Sequence, residues 1–362
     1  MEKKTPLHDT HRELGARMAS FAGWAMPIQY EGILAEHLHC REKASLFDIC
    51  HMGEFFISGA TAGQDLERLL TQPIQTLQHH QCRYGFLLNE EGGVLDDLTC
   101  YRLGGDQFYL VVNAANIQTD ADWIREHLSR DTHFDDRSAS TAKLDLQGPW
   151  SRKCLEETLA ISVPNLKFFR ACELEIEGNP SLLSRTGYTG EWGYELYVPT
   201  DYTASLWERL LGHEDVKPAG LGARDTLRLE VGYPLHGHEL TADRTPAGAT
   251  GGAFINLDKD FIGKGPVQRE LAEGPRQKLV GLQLATKRAA RAGDTVFADQ
   301  SPVGTVTSGS LSPSLGIAIA LAYVDTPYSQ PGQKLTIEVR GTQLEAKVVG
   351  LPFYKQGSAR KG

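Results

Sequence analysis

Apolar and polar residues alternate along residues 94–103, which read VLDDLTCYRL, and two adjacent aspartates interrupt the apolar run. This pattern predicts a β-strand, in which successive side chains point to opposite faces. One face carries Leu95, Asp97, Thr99 and Tyr101, and the other carries Val94, Asp96, Leu98 and Cys100. The two aspartates therefore cannot act as a facing pair. Since an unpaired buried carboxylate is costly to desolvate, we expect one of them to face a group that requires a charge and the other to accept hydrogen bonds from local backbone.

The residues around this strand predict an antiparallel meander. Further strands are predicted over residues 83–88 and 107–112, because β-rich runs alternate there with glycine-containing turns. Apolar residues recur at helical spacing over residues 117–128, which predicts a helix after the meander. Asn113 or Asn116 could cap this helix, so a capping role and a binding role both stay open for Asn113.

The second half of the chain divides into a mixed region and a β-rich region. Residues 182–198 predict a second hairpin, and helices are predicted over residues 203–212 and 220–232, the latter ended by a glycine. After Ala272, short β-rich runs follow one another without helical periodicity. The sequence therefore predicts a compact all-β domain at the C-terminal end.

Composition limits the class of protein. The 362 residues are enough for about two or three domains, and 41% hydrophobic with 23% charged residues indicates a globular protein. Acidic residues outnumber basic ones, 46 to 37, which argues against a nucleic-acid partner or an anionic membrane surface. The six cysteines form no C-x-x-C pair. We expect reduced thiols, no membrane span and a cytoplasmic location.

Three sets of polar residues are candidates for chemistry. Histidines cluster in the runs EHLHC, HHQC and HGHEL, but no spacing matches a metal signature, so exposed histidines are the better interpretation. Arg224 and Arg228 share one face of a predicted helix, where an anionic ligand, a carboxylate or water would relieve their repulsion. Glu195 lies in a predicted strand and needs donors if it is buried, which a ligand could supply. For the arginine pair, surface electrostatics is the better interpretation from the pattern alone, whereas the role of Glu195 stays open.

Eight motifs are distributed almost from one end of the chain to the other. In order, they are HRELGARMASFAGWAMPIQY, HCREKASLFDICHMGEF, RYGFLLNEEGGVLDDLTCYRL, YLVVNAAN, SRTGYTGEWGYELYV, GLGARDTLRLEVGYPLHGHEL, DFIGK and LPFYK. Their order and spacing resemble the T-protein family of the glycine cleavage system, the folate-dependent aminomethyltransferases. The resemblance implies that a lipoyl-bearing H-protein delivers an aminomethyl group to tetrahydrofolate with release of ammonia. It implies no metal, no nucleic acid and no membrane partner.

The resemblance also implies an α+β fold. The family forms a three-domain ring around a central folate cavity, with two antiparallel α+β domains interleaved in sequence and a C-terminal jelly-roll-like β-barrel. The implied domains are residues 1–52 with 138–242, residues 53–137 with 243–274, and residues 275–362. The barrel agrees with the all-β region predicted from the pattern alone.

Individual site residues follow from the matching motifs. The catalytic aspartate of the family corresponds to Asp97, its pterin-binding glutamate to Glu195, and a folate-contacting arginine to Arg224. The positions that line or close the cavity correspond to Met52, Tyr84, Tyr101, Asn113, Tyr188 and Tyr233. On this basis we expect Asp97 to face the cavity and Asp96 to be held by local donors on the opposite face.

The chain departs from the family at three positions. Gly248 stands in place of a glutamate, Ala253 in place of a tryptophan of the cavity wall, and Gln356 in place of an arginine. The missing ring predicts a wider or reshaped cavity.

Two alternative functions stay open: a tetrahydrofolate-dependent demethylase or methyltransferase acting on an N-, S- or O-methyl donor, and a non-enzymatic folate-binding protein.

Overall fold

The structure, a computed structural model, describes residues 2–361. Its strands are β1 (Lys3–Lys4), β2 (Arg17–Phe21), β3 (Trp24–Gln29), β4 (Ala44–Asp48), β5 (Gly53–Ser58), β6 (Cys82–Leu88), β7 (Val94–Gly104), β8 (Gln107–Val112), β9 (His133–Asp136), β10 (Thr141–Gln147), β11 (Ala171–Ile176), β12 (Asn179–Ser184), β13 (Gly193–Pro199), β14 (Val216–Pro218), β15 (Gln277–Leu284), β16 (Thr295–Ala298), β17 (Ser301–Leu311), β18 (Ala318–Asp325), β19 (Lys334–Val339) and β20 (Thr342–Val349). Its α-helices are α1 (His8–Glu13), α2 (Ile33–Glu42), α3 (Ala62–Leu69), α4 (Ile117–His127), α5 (Ser151–Leu159), α6 (Thr203–Leu211), α7 (Leu221–Val231), α8 (Ala247–Thr250) and α9 (Lys264–Glu273).

Strands β4 and β10 to β14 form a six-stranded sheet in the order β11-β12-β13-β10-β4-β14. Helices α5 and α6 pack on this sheet, because their apolar residues recur at helical spacing and share one core with the strands. Trp207 of α6 is fully buried in that core. Strand β10 pairs antiparallel with β13 so that Asp145 lies directly opposite Glu195.

The chain leaves this sheet after β4 and returns to it at β10. In between, β5 to β9 form a five-stranded sheet in the order β6-β7-β8-β5-β9. Helices α3 and α4 share a buried core with it, which includes Leu66, Leu98 and Ile124. The two crossings lie between Asp48 and Gly53 and between Asp136 and Thr141. The boundaries between residues 52 and 53 and between residues 137 and 138 fall within these crossings. We keep all the domain boundaries given above as a proposal.

Strands β15 to β20 close into a barrel in the order β15-β18-β17-β16-β19-β20. The predicted all-β C-terminal domain is therefore confirmed. Helix α7 connects the six-stranded sheet to this barrel: its Leu229 packs against Ile319 and Leu321, and its buried Arg228 donates to Ser308 Oγ at 2.8 Å. This attachment matters for the site, because α7 also carries Arg224.

The elements predicted from the pattern agree closely with the structure. The meander is β6, β7 and β8, and the second hairpin is β12 with β13. The predicted helices are α4, α6 and α7, and Gly232 ends α7 with a φ of +75°, which a glycine adopts readily. The small sheet β1-β3-β2 near the N-terminal end was not predicted.

All six cysteines are free. Within residues 2–361, no helix has both the length and the apolar composition needed to cross a membrane.

Gly93 precedes the strand that carries both aspartates, and it has no room for a side chain. A Cβ atom at this position would lie 1.8 Å from the carbonyl oxygen of Ala242. We expect Gly93→Ala to lower the free energy of unfolding by roughly 1–3 kcal/mol, since the backbone at the start of β7 must move. Chemical denaturation measures the loss. Gly105→Ala is the matched control, because a Cβ atom there meets nothing within 4 Å. Equal losses in the two variants would contradict the packing argument.

Candidate active site

Asp97 is a half-buried residue of β7 whose carboxylate has two donors. The Tyr84 hydroxyl donates to its Oδ2 at 2.9 Å, and Asn113 Nδ2 donates to its Oδ1 at 3.0 Å. Burial, reinforced by the charge of Asp96, raises the pKa of Asp97 to about 7. A carboxylate with this pKa can both accept and release a proton near neutral pH.

Asp96 lies on the opposite face of β7 and is fully buried. Its carboxylate accepts the backbone N–H and the Nδ2 of Asn113, each at 2.8 Å, and the Nδ2 of Asn116 at 2.7 Å. The two aspartates thus have the opposite faces that the alternation predicts. Asn116 is the N-cap residue of α4, but its side chain makes no cap hydrogen bond. The capping alternative is therefore wrong for both asparagine side chains, which bind aspartates instead.

A second charged group lies on the facing sheet. Lys143 Nζ lies 2.9 Å from Glu195 Oε1, and both side chains are buried. Thr186 and Tyr197 donate to Glu195 Oε2 at 2.5 and 3.3 Å. Burial alone would raise the pKa of Glu195, but Lys143 and Thr186 outweigh it, so the pKa is lowered. Glu195 is therefore ionised, and the protein itself supplies its donors.

Arg224 neutralises the carboxylate that faces Glu195. Its Nη1 donates to Asp145 Oδ2 at 2.6 Å, and Asp145 is fully buried. Burial raises the pKa of Asp145 to about 6, although Arg224 opposes the rise. Like charges directly opposite each other destabilise an antiparallel pair, and Arg224 relieves this repulsion. Arg228 is paired with other carboxylates, Asp225 at 2.8 Å and Glu239 at 3.1 Å. Carboxylates therefore account for both arginines of α7 before any ligand is considered.

Tyr188 packs beside Arg224 and Tyr233. Its ring stacks on Tyr233 with centroids 5.8 Å apart, and the Arg224 guanidinium lies 4.9 Å from its centroid. Burial raises the pKa of the Tyr188 hydroxyl, and the charges of Asp97 and Arg224 also act on it. Tyr188 is therefore in contact with Arg224 and within the electrostatic influence of Asp97.

The nine residues assigned from the resemblance differ in exposure. Seven keep partial exposure: Met52, Tyr84, Asp97, Asn113, Tyr188, Arg224 and Tyr233. Glu195 and Tyr101 are buried, and the Tyr101 hydroxyl donates to Ser184 Oγ at 3.1 Å and bonds with the Tyr197 hydroxyl at 3.1 Å. Tyr101 therefore belongs to the Glu195 group and not to the Asp97 group. Surface cavities of about 590 and 150 Å³ lie elsewhere, and the predicted central cavity stays a prediction.

Sequence reasoning missed Lys143, Asp145 and Thr186. The available signal was the run TAKLDLQ, in which polar and apolar residues alternate strictly, so that a lysine and an aspartate share one face of the strand. Lys143 also approaches Met52, with its Nζ 3.7 Å from the Met52 sulfur. The predicted lining residue Met52 is thereby placed beside the Glu195 group.

Phe254 presents an aromatic ring beside the position where the family has its tryptophan. Phe254 is 44% exposed, and its ring meets Tyr84 edge to face with centroids 4.9 Å apart. Ala253 itself is exposed, so the loop keeps a ring near Asp97 although Ala253 has none. A glutamate would not fit at Gly248, because a Cβ atom there would lie 2.7 Å from the carbonyl oxygen of Gln277.

The histidine runs have different environments. His37 is fully buried and hydrogen-bonds with Glu230 at 3.1 Å, so the interpretation as exposed was wrong for this residue. His79, His80 and Glu173 each place one potential ligand atom within 4.8 Å of the others, at the surface. The expectation of no metal stays a prediction.

Two sheets covered by helices are followed by a closed β-barrel, and one of the sheets carries an aspartate with a raised pKa. These features define an α+β protein with a C-terminal barrel domain. Residues 7–259 match the GCVT N-terminal domain, and residues 277–355 match the glycine cleavage T-protein C-terminal barrel domain. The chain belongs to the glycine cleavage T-protein family.

Relatives and a solved structure support the same conclusion over the full length. An aminomethyltransferase of Desulfitobacterium hafniense (strain Y51) is 40% identical over 98% of this chain and 98% of its own. One of Halalkalibacterium halodurans is 42% identical over 98% of this chain and 99% of its own. The crystal structure of the glycine cleavage system aminomethyltransferase T from Bartonella henselae is 35% identical, covers 99% of both chains and has a TM-score of 0.94. The α+β fold with a C-terminal barrel is thereby confirmed.

Proposed function

We propose that this chain transfers the methylene group of an aminomethylated, lipoyl-bearing H-protein to tetrahydrofolate and releases ammonia. It is an enzyme, an aminomethyltransferase, and its family is folate-dependent. The observation that carries the proposed chemistry is Asp97, a half-buried carboxylate with a pKa of about 7 held between Tyr84 and Asn113. A cytoplasmic location is part of the same proposal.

Asp97 would act as the base of the reaction. Two nitrogen atoms of tetrahydrofolate bond to the carbon, and each of them loses a proton. The bonds from this carbon to the lipoyl sulfur and to the amino group break, so the two protons end on the sulfur, as a thiol, and on the departing ammonia. Asp97 first accepts one of these protons, while Tyr84 and Asn113 fix the orientation of its carboxylate. The negative charge of Asp97 also stabilises the positive charge that develops on the carbon as ammonia leaves. No covalent bond between the enzyme and the substrate is needed.

Glu195 and Arg224 would bind the folate ring. A carboxylate offers about four lone-pair sites, and the protein already occupies three at Glu195. The three donors are Lys143, Thr186 and Tyr197. Paired hydrogen bonds to an aminopyrimidine edge therefore require one of these donors to move when folate binds. Arg224 donates one N–H to Asp145, and the remaining N–H groups of its guanidinium can donate to the ligand.

A donor comparison tests this function. The protein is mixed with tetrahydrofolate and either aminomethylated H-protein or a methylated amine, and both methylenetetrahydrofolate and ammonia are measured. We expect both products from the H-protein donor only. Methyltetrahydrofolate formed from the methylated amine, with no product from the H-protein donor, would favour the demethylase or methyltransferase, and folate binding without turnover would favour the non-enzymatic protein. Neither alternative is favoured by the relatives, which are named aminomethyltransferases.

Phe254 is expected to contribute to folate binding through its ring. Aromatic contacts of this kind contribute about 0.5–1.5 kcal/mol, so Phe254→Ala should weaken tetrahydrofolate binding roughly two- to tenfold. Isothermal titration calorimetry measures the change. Trp150→Ala is the control, since Trp150 is another exposed aromatic residue, 39% exposed, that is not among the site residues. Equal effects of the two substitutions would argue against a specific role for Phe254.

A further inference from the structure

Asp120 is a buried carboxyl group behind the active site that the proposed reaction does not use. It lies in α4, one turn after Asn116, and is fully buried. Neither of its carboxyl oxygens has an N–H or O–H donor among residues 2–361. Asn116, which lies one turn earlier on the same face of α4, donates to Asp96 Oδ1 at 2.7 Å, and this places Asp120 beside Asp96. Two adjacent buried carboxyl groups cannot both ionise without a large cost, so one proton must lie between them.

The donors around the pair decide which carboxyl group holds the proton. Asp96 accepts hydrogen bonds from the backbone N–H and Nδ2 of Asn113 and from Nδ2 of Asn116, which stabilise its charged form. Asp120 has no such donors, so its charged form is unstabilised. In agreement, burial followed by the charge of Asp96 raises the pKa of Asp120 to about 11.

Asn113 connects this pair to Asp97. Its Nδ2 lies 2.8 Å from Asp96 Oδ1 and 3.0 Å from Asp97 Oδ1. An ionised Asp96 accepts a hydrogen bond from this amide and so fixes its orientation. A protonated Asp96 would itself be a hydrogen-bond donor and would accept from the amide less strongly. The other ionisable group near the pair is His236, whose Nδ1 lies 3.0 Å from Asn116 Nδ2.

We propose that Asp120 is a positioning residue: a neutral carboxylic acid whose O–H donates to Asp96. Asp96 then stays ionised, keeps Asn113 oriented towards Asp97, and places one negative charge behind Asp97. The inference rests on the proposed role of Asp97 as the base. It adds a second layer to the site, in which the charge of the Asp96–Asp120 pair sets how readily Asp97 takes up a proton.

Two variants separate this role from a merely structural one. Asp120→Asn keeps a donor to Asp96 and leaves the pair with one charge, so kcat, KM and the acid limb of the pH profile should stay within about twofold of wild type. Asp120→Leu removes the donor, so Asp96 takes up a proton more easily and Asp97 loses the charge behind it. We expect kcat to fall about tenfold with KM for tetrahydrofolate nearly unchanged, and the acid limb to move to lower pH.

Infrared difference spectroscopy provides a readout that does not depend on turnover. At about pH 9, where ordinary carboxyl groups and Asp97 are ionised, wild type minus Asp120→Asn should show the carbonyl band of one protonated carboxylic acid. The proposal would be overturned if the difference spectrum lacked this carbonyl band. It would also be overturned if the acid limb of the Asp120→Asn pH profile moved to lower pH, because either result would mean that Asp120 is ionised in the wild type. An unchanged pH profile in a folded Asp120→Leu would also overturn it. A wild-type enzyme without transfer activity would contradict the proposed function and leave the infrared result standing.

Discussion

Asp97→Asn is expected to lower the rate of aminomethyl transfer by about 10²–10⁴-fold, the usual contribution of a positioned general base. Asparagine has nearly the same shape, and it can accept from Asn113 and pair with the Tyr84 hydroxyl, but it cannot take up a proton at neutral pH. Single-turnover transfer from aminomethylated H-protein measures the loss without interference from product release.

The folded state should tolerate this substitution. The pKa of Asp97 is raised to about 7 in the folded chain, so the ionisation of Asp97 opposes folding as pH rises above the pKa of a free aspartate. A neutral asparagine removes that penalty, and thermal unfolding should show no loss of stability. Asp106→Asn, in the exposed turn between β7 and β8, is the control and should keep wild-type activity. Wild-type turnover in Asp97→Asn would exclude Asp97 as the base.

Lys143→Met is expected to have the second-largest effect, on stability and on folate binding together. Lys143 is the cation that offsets the burial of Glu195, and their charged atoms are 2.9 Å apart. Removing one partner of a buried ion pair costs about 3–5 kcal/mol, because the other charge is left uncompensated. Glu195 should respond with a raised pKa, and tetrahydrofolate binding should weaken at least about tenfold at neutral pH. Chemical denaturation and calorimetry measure the two effects.

A double variant separates the two effects of Lys143. Lys143→Met combined with Glu195→Gln removes both charges, so the stability should recover relative to Lys143→Met alone. Folate binding should not recover, because the carboxylate proposed to bind the folate ring is gone. A double variant less stable than Lys143→Met, or one that binds folate as wild type does, would contradict the assignment.

The faces of β7 were predictable because strand alternation depends on neighbouring residues only. The pattern placed Asp96 and Asp97 on opposite faces, although it took the family resemblance to choose Asp97. The role of Asn113 was left open between capping and binding, and neither interpretation anticipated that one amide would bridge both aspartates. Asn113 directly follows β8, so that geometry depends on how β8 pairs with β7, which the local pattern does not encode.

The Glu195 group was not predictable for a different reason. Asp145 and Glu195 are fifty residues apart in sequence, and they become neighbours only through the register of β10 and β13. Register and helix placement are tertiary properties, so Lys143 and Arg224 could not be matched to these carboxylates in advance. The aromatic ring near position 253 was also not predictable from the sequence, because it depends on the backbone conformation of the neighbouring residue. That residue, Phe254, adopts a φ of +63°, and the ring that meets Tyr84 comes from this residue.

The pH dependence of single-turnover transfer from aminomethylated H-protein to tetrahydrofolate tests most directly whether Asp97 is the base. Protonated Asp97 cannot accept a proton, so the wild-type rate should fall as the pH drops through about 7. The low residual rate of Asp97→Asn should show no step at this pH. A wild-type rate that does not change through this range, or the same step in Asp97→Asn, would contradict the account.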